Sequence, residues 1–267
     1  MVWENAMGEI RVGTSGFSYE DWRGYFYPQE IKKGDMLRYY AERFSTVEVN
    51  SSFYAIPSPS TFAAMSAKTP DSFEFAVKAP KDITHSPEVD PEVFKRFIGS
   101  IGPIVENGKL GCILAQYPWG FKKQDSNIDR LTQLREEFGD LCVVVEFRNI
   151  GWMGKDTFDL LRERRLGFCC VDEPQLKGLV PRIAIATSPV GYVRFHGRNA
   201  EKWWHHDEAW QRYDYLYTAD ELKEWVPKVR SLASETEKTY LFFNNHYQGK
   251  AAQNAQAFAG MLGLSSE

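Results

Sequence analysis

Eight short apolar runs alternate with helix-like segments along almost the whole chain, and this alternation limits the folds that are open to it. The runs are rich in β-branched and aromatic residues and lie at residues 10–16, 46–50, 73–79, 110–116, 143–148, 167–172, 191–196 and 239–244. Strands that are buried on both faces read as continuous apolar runs, and parallel strands joined by helices are buried in this way. The pattern therefore predicts an α/β fold with a parallel sheet.

Eight strand–helix units in a chain of 267 residues predict one TIM-barrel domain over residues 1–267, a (β/α)₈ barrel with eight parallel strands. The segment between strands 6 and 7 is an exception, because Pro174 and Pro181 argue against a long helix. We expect an irregular crossover there. The alternative is an open doubly wound sheet, which usually carries a glycine-rich phosphate loop; neither GxGxxG nor GxxxxGK[ST] occurs in this sequence.

The fifth run, VVVEFR, ends in a carboxylate and a guanidinium. Side chains alternate along a strand, so Glu146 and Arg148 are expected to point the same way, opposite to Phe147. The other runs also end in polar residues in one phase of the alternation, while the other phase is mostly apolar. Together these residues are Thr14, Glu48, Asn50, Lys78, Gln116, Glu146, Arg148, Asp172, Arg194, His196 and Asn244.

The phase that faces the helices of a barrel must be apolar to pack, so the polar phase is expected to face the lumen. In this fold the C-terminal ends of the strands form the active site. The interpretation is an enzyme that acts on a small anionic or sugar-like molecule. Glu146 is the candidate general acid or base, and Glu48 or His196 the second proton carrier. Lys78 or Arg194 would hold the anion, because ammonium and guanidinium groups bind phosphate and carboxylate well.

Two other hypotheses stay open. A nucleic-acid binder or nuclease would use basic residues near the mouth, namely Arg23, Lys81, Lys122, Lys123 and Arg198, although the net charge of the chain is −4. A barrel without catalysis would serve as an interaction surface. Aromatic loop residues could stack on a sugar or base in the first two cases: Phe17, Tyr19, Trp22, Tyr54, Tyr117 and Trp119.

The four cysteines lie in or beside apolar runs and form no CxxC pair, which favours reduced core thiols and a cytoplasmic protein. No signal peptide or membrane span is expected, and the oligomeric state is not predicted. No cofactor is predicted. The ligand types of Glu48, His85, Glu146, Asp172 and His196 leave a divalent metal open as an alternative, but no HExxH or DxH spacing supports one.

Seven motifs in order along nearly the whole chain resemble the YecE-like family, a domain of unknown function (DUF72). They are GTSGFSYEDWRGYFYP, TVEVNSSFY, FAVKAPKDITH, AQYP, VVVEFRNIGW, YVRFHGR and FFNNHYQGKAAQNA. The resemblance implies a TIM-type barrel, similar in outline to endonuclease IV and xylose isomerase-like enzymes, and leaves the activity unassigned. It adds His85 and Asn245 to the candidate residues. Endonuclease IV is rich in histidine, whereas this chain has 5 histidines, which argues against a metal-dependent nuclease.

Overall fold

The computed structural model describes residues 7–264, and these residues contain eight strands in one parallel sheet. The strands are β1 (Glu9–Thr14), β2 (Thr46–Val49), β3 (Glu74–Lys78), β4 (Leu110–Gln116), β5 (Val143–Glu146), β6 (Gly167–Asp172), β7 (Val190–Phe195) and β8 (Lys238–Phe243). From β2 to β8 each strand pairs with the next along the chain, and β8 pairs with β1. The predicted (β/α)₈ barrel is confirmed.

Helices follow most of the strands. They are α1 (Met36–Ala41), α2 (Ser51–Tyr54), α3 (Pro59–Ala67), α4 (Lys81–Thr84), α5 (Pro91–Glu106), α6 (Asp125–Phe138), α7 (Lys155–Glu163), α8 (Ala219–Lys223), α9 (Val226–Ser234) and α10 (Lys250–Leu262). Short 3₁₀ turns lie at Glu20–Trp22, Lys33–Asp35, Ile150–Trp152, Ala209–Tyr213 and Tyr247–Gly249. None of the helices in residues 7–264 has the length and apolar character that a bilayer crossing requires.

Local sequence signals explain several helix ends. The Asp90 side chain accepts a hydrogen bond from the Glu92 N–H at the start of α5, and Thr218 and Glu221 form a capping box at the start of α8. Residues 173–189, between β6 and β7, contain neither helix nor strand, which confirms the irregular crossover. All four cysteines are free thiols, and three of them are buried.

The barrel closes between β1 and β2 through a tyrosine hydroxyl as well as the backbone. Ser15 and Glu48 form one isolated bridge, and the Gly16 N–H donates to the Glu48 carbonyl at 2.8 Å. Next to this bridge the Tyr40 hydroxyl of α1 accepts from the Thr14 N–H at 2.9 Å and donates to the Thr46 carbonyl at 3.1 Å. The hydroxyl therefore satisfies two buried backbone groups that lack a ladder partner.

The main apolar core lies between the strands and the helix shell. Phe195 of β7 stacks on Phe243 of β8 and contacts Phe258 of α10 and Trp225 beside α9. Residues that pair in register in a parallel sheet point to the same side, so these contacts mark the helix-facing phase. The opposite phase of β7, with Tyr192 and Arg194, faces the lumen.

Candidate active site

Five buried side chains form a cluster in the barrel lumen, which we call the central cluster. Its members are Glu48, Glu146, Tyr192, Arg194 and His196, each at most 1% exposed. Each comes from the lumen-facing phase of its strand or from the residue just after the strand. Hydrogen bonds across the lumen join these side chains from β2, β5 and β7.

Arg194 holds the two carboxylates of the central cluster. Its Nη1 donates to Glu146 Oε2 at 2.7 Å, and its Nη2 donates to Glu48 Oε1 at 2.6 Å. The Tyr192 hydroxyl donates to the other oxygen of Glu48 at 2.6 Å. Buried charges are tolerated when they are paired and hydrogen-bonded in this way.

Three side chains with nitrogen atoms lie within 3.2 Å of the Glu146 carboxylate. Besides Arg194, Arg148 Nε lies 2.6 Å and His196 Nε2 lies 3.2 Å from Glu146 Oε1. Burial alone would raise the pKa of Glu146, but Arg148 and Arg194 hold it well below its usual range. The predicted convergence of Glu146 and Arg148 on one side of the strand is observed, and Glu146 is an ionised carboxylate at neutral pH.

His196 is neutral and fixed in one tautomer. Burial, together with the nearby charge of Arg148, keeps its pKa well below the usual value. A carboxylate can only accept, so Nε2 carries the proton that faces Glu146, and Nδ1 accepts from the Asn244 amide at 3.1 Å. Both ring nitrogens are therefore occupied.

A second group, which we call the rim group, lies at the same end of the barrel and is partly exposed. It consists of Asn50, Lys78, Gln116 and Arg148. Arg148 donates from Nη1 to Glu173 Oε2 at 2.8 Å, while its Nη2 has no hydrogen-bond partner in the part of the chain that the structure describes. The Trp203 ring covers Arg148, with its centroid 6.0 Å from Cζ.

Lys78 differs from the other cations of the site because no carboxylate of residues 7–264 pairs with it. Its ammonium donates to Gln116 Oε1 at 2.8 Å and lies 4.1 Å from the centroid of the Phe53 ring. Burial of the amine, followed by the nearby charge of Arg194, lowers the pKa of Lys78 to about 7. The amine is therefore divided between its neutral and charged forms at physiological pH.

Sequence reasoning missed Glu173, the residue directly after β6. It is fully buried, accepts from Arg148, and accepts from the Val180 N–H at 3.2 Å. Burial, opposed by Arg148 and reinforced by the charge of Glu146, raises the pKa of Glu173 to about 7. The alternation along β6 could have indicated it, because Glu173 shares the phase of Cys169 and Val171.

The expectation that Asp172 faces the lumen is wrong. Asp172 is level with Phe195 in the β6–β7 register and so points toward the helices. There its carboxylate accepts from Arg198, from the Tyr217 hydroxyl at 2.8 Å and from Trp225 Nε1 at 2.6 Å. These contacts stabilise the helix-facing side of the barrel and leave no part of Asp172 at the mouth.

Three further predicted residues lie away from the rim group and the central cluster. Trp22 is fully buried, and its Nε1 donates to the His246 carbonyl at 2.6 Å, so the indole cannot stack on a ligand at the mouth. The Asn245 amide is buried and donates to the Tyr215 carbonyl and to Asn254 Oδ1, both at 2.8 Å. Thr14, on the helix-facing phase of β1, also points away from the lumen and bonds Tyr40.

His85 and Tyr54 both contact the Phe53 ring, which lies beside Lys78. His85 contacts Phe53 edge-on at a centroid distance of 5.0 Å and has Nδ1 2.8 Å from the Thr84 hydroxyl. Tyr54 is 76% exposed and contacts Phe53 at 5.2 Å. Within residues 7–264 no three His, Cys, Asp or Glu side chains converge in a way that could hold a metal ion.

The comparisons with known proteins decide the family. The model for "Protein of unknown function DUF72" matches residues 11–267, almost the whole chain. The chain belongs to the DUF72 family. This DUF72 protein is 30% identical over 271 residues to the UPF0759 protein YunF of Bacillus subtilis (strain 168), with 96% of the chain and 95% of YunF covered.

Solved structures of two DUF72 family proteins are similar to this chain. The Thermotoga maritima MSB8 protein is 41% identical with a TM-score of 0.88, covering 96% of this chain and 99% of that one. The Enterococcus faecalis V583 protein is 29% identical with a TM-score of 0.87, and 96% of each chain is covered. The family and the barrel are thus shown, and the family description assigns no activity.

Proposed function

We propose that this DUF72 protein is an enzyme that binds a small anion at the C-terminal mouth of its barrel and uses Lys78 to move a proton on it. The observation that carries the proposal is the state of Lys78. Lys78 is a residue of intermediate exposure whose amine has a lowered pKa and is held by one amide and by no carboxylate of the described residues. A group whose pKa lies near the working pH can both accept and give up a proton efficiently.

Arg148 is the proposed anchor for the anion. Its Nε and Nη1 are held by Glu146 and Glu173, and Nη2 has no hydrogen-bond partner among residues 7–264. A guanidinium that is held rigidly in this way loses little freedom when it binds a carboxylate or phosphate. Protonation of Glu173 near pH 7 would also reduce the negative charge beside the anion.

The central cluster takes a different role from the one predicted. Glu146, the candidate acid or base, is fully buried and paired with two guanidiniums, and both nitrogens of His196 are occupied. Glu48 is held by Arg194 and Tyr192. We therefore assign these residues to positioning Arg148 and balancing its charge, and the proton transfer to Lys78.

Sulfate binding tests the anion site, because sulfate keeps its charge between pH 6 and pH 8. If protonated Lys78 is required, a pKa of about 7 makes sulfate bind about tenfold more weakly at pH 8 than at pH 6. Titration calorimetry on the wild type and on Lys78→Met would show this dependence and its loss. Lys122→Met is the matched control, because it removes a lysine that lies beside the exposed Trp119, with Nζ 5.7 Å from the ring centroid, and leaves Lys78 in place.

Chemical labelling tests the amine directly. Acetylation of Lys78 by acetic anhydride, followed by mass spectrometry across pH, should rise with a midpoint near pH 7. An ordinary lysine peptide has a pKa near 10.4 and serves as the reference. A midpoint close to that of the peptide, together with sulfate affinity that is equal in wild type and Lys78→Met, would rule out the proposed function.

A second candidate function, binding of single-stranded nucleic acid, is favoured by an exposed aromatic pair. Trp119 and Trp204 are 43% and 45% exposed and lie in the loops after β4 and β7. Their ring centroids are 6.1 Å apart, and both rings could stack on bases. The basic residues named for this role are less suitable. Arg198 binds Asp172, Lys123 pairs with Asp156, and Arg23 pairs with Glu20.

Oligonucleotide binding separates the two candidates. Affinity for a fluorescent deoxythymidine 12-mer that falls steeply with salt, and that drops in Trp119→Ala and Lys122→Met but not in Lys78→Met, would support the second. The first candidate predicts the opposite pattern for sulfate. Weak binding of the 12-mer that none of these variants alters would leave the second candidate without support.

A further inference from the structure

We infer that the anion bound at this mouth carries hydroxyl groups, which Ser15 and Asn50 recognise through polar atoms that have no partner among residues 7–264. This inference rests on the proposed function and names its substrate class, a polyol that ends in phosphate or carboxylate. The observation behind it is independent of Lys78: Ser15 Oγ and Asn50 Oδ1 are buried and unbonded within the described residues.

Ser15 lies directly after β1 in the lumen-facing phase. It pairs with Glu48 in the isolated bridge, and Gly13, two residues earlier, is level with Phe242 of β8. Its backbone groups are both used: the N–H donates to the Phe243 carbonyl at 2.9 Å, and the carbonyl accepts from the Tyr19 hydroxyl at 2.7 Å. The side-chain hydroxyl lacks a partner in the part of the chain that the structure describes, although the residue is 0% exposed.

Asn50 lies directly after β2, in the same phase as Glu48. Val49 is level with Val77, so the next pair along the two strands is Asn50 and Lys78. Adjacent strands are about 4.8 Å apart, so Ser15, Asn50 and Lys78, at the ends of β1, β2 and β3, span about 10 Å of the mouth. That distance suits a chain of several carbon atoms whose anionic end lies near Lys78 and the proposed anchor Arg148.

The chemistry of the two atoms indicates what they recognise. A carboxamide oxygen only accepts, so the group facing Asn50 Oδ1 must donate a hydrogen bond. A serine hydroxyl both donates and accepts, as the hydroxyl of a polyol does. Buried polar atoms are nearly always paired in folded proteins, so unpaired ones at a ligand site point to groups that the ligand supplies.

Binding of matched probes tests the inference at pH 6.5. D-glucitol 6-phosphate and D-gluconate carry hydroxyls, while hexyl phosphate and hexanoate have the same anionic ends without them. We expect the hydroxylated probes to bind at least tenfold more tightly to the wild type. Ser15→Ala and Asn50→Leu should each reduce that preference about 3–10-fold, the loss of one or two hydrogen bonds, and leave hexyl phosphate and hexanoate unchanged.

Thr157→Val is the matched control. Thr157 Oγ1 is also buried without a partner, but it lies on α7 in the helix shell. This variant should keep the full preference for the hydroxylated probes. Thermal unfolding adds a second readout: Ser15→Ala should unfold at the wild-type temperature, whereas a hydroxyl that served only to stabilise the fold would lower it when removed.

The outcomes separate this inference from the proposed function. Equal binding of the hydroxylated and plain probes, with Lys78-dependent affinity for both, would overturn the inference and leave the anion site intact. Failure of all four probes, and of sulfate, would overturn both. Tight binding of gluconate alone or of glucitol 6-phosphate alone would support the inference and identify which anionic end the site accepts.

Discussion

Replacing Arg194 by methionine should show how much the fold depends on charge balance inside the barrel. Methionine keeps much of the length of the side chain and removes its charge. Arg194 joins Glu48 and Glu146 at 2.6 and 2.7 Å, and all three are buried. Removing one partner of a buried ion pair costs about 3–5 kcal/mol, because the remaining charge is left without compensation.

Glu48 should be the carboxylate that is left with the least charge compensation when Arg194 is removed. Glu146 keeps Arg148 and His196, whereas Glu48 keeps only the Tyr192 hydroxyl. We expect a loss of about 4 kcal/mol near pH 7.5. For a domain of this size, 1 kcal/mol corresponds to roughly 2–4 °C in Tm, so Tm should fall by roughly 8–16 °C.

The difference should shrink in acid. The pKa of Glu146 in the folded protein is held well below its ordinary value, so its stabilising effect is present above the unfolded pKa of about 4.3 and is lost as pH falls through the folded pKa. Without Arg194, Glu146 loses one of the two guanidiniums that lower its pKa, so in the variant it is neutralised by protonation at a higher pH. The gap in Tm between wild type and variant should therefore be largest near pH 7.5 and narrower at pH 5.

Scanning calorimetry at pH 7.5, 6 and 5 would measure the gap, with Arg162→Met as the control. Arg162 pairs with Asp159 on the surface of α7, where both side chains are more than 40% exposed, so its removal should change stability by less than about 1 kcal/mol. If Arg194→Met lowered Tm no more than this control, at every pH, the reasoning from buried charge balance would be refuted.

Three further changes have expected outcomes. Tyr40→Phe should destabilise the protein by about 1–3 kcal/mol in urea unfolding, because two backbone groups at the β1–β2 seam lose their partner, while Tyr39→Phe should have little effect; equal effects would contradict the role of the hydroxyl. Burial raises the pKa of Glu173 in the folded protein to about 7, so ionisation of this carboxyl lowers the free energy of unfolding as pH rises from about 4.5 to 7. The free energy of unfolding of Glu173→Gln should therefore fall less than that of the wild type across this range. A larger fall in the variant would contradict the reasoning. Asp172→Asn should lower Tm without changing sulfate affinity, since its carboxylate bonds residues of the helix-facing side; a changed affinity would contradict that placement.

Local pattern predicted the elements of this fold well because each depends on near neighbours in the chain. The apolar runs became strands within about two residues of their predicted ends, and the Thr218–Glu221 capping box begins a helix as its sequence indicates. The two prolines of the sixth crossover correctly excluded a long helix there. The pairing of Glu146 with Arg148 also follows from alternation within one strand.

The sequence by itself determined the barrel, the order of its strands and the convergence of charged groups at their C-terminal ends, since burial on both faces leaves a parallel strand little freedom. Only the tertiary structure decided which of two adjacent acids, Asp172 or Glu173, faces the lumen, because both phases of β6 end in a carboxylate and the register against Phe195 chooses between them. It also decided that Glu146 is paired and buried, while no carboxylate among the described residues pairs with Lys78. Those outcomes depend on contacts between residues far apart in the chain, which no local pattern contains.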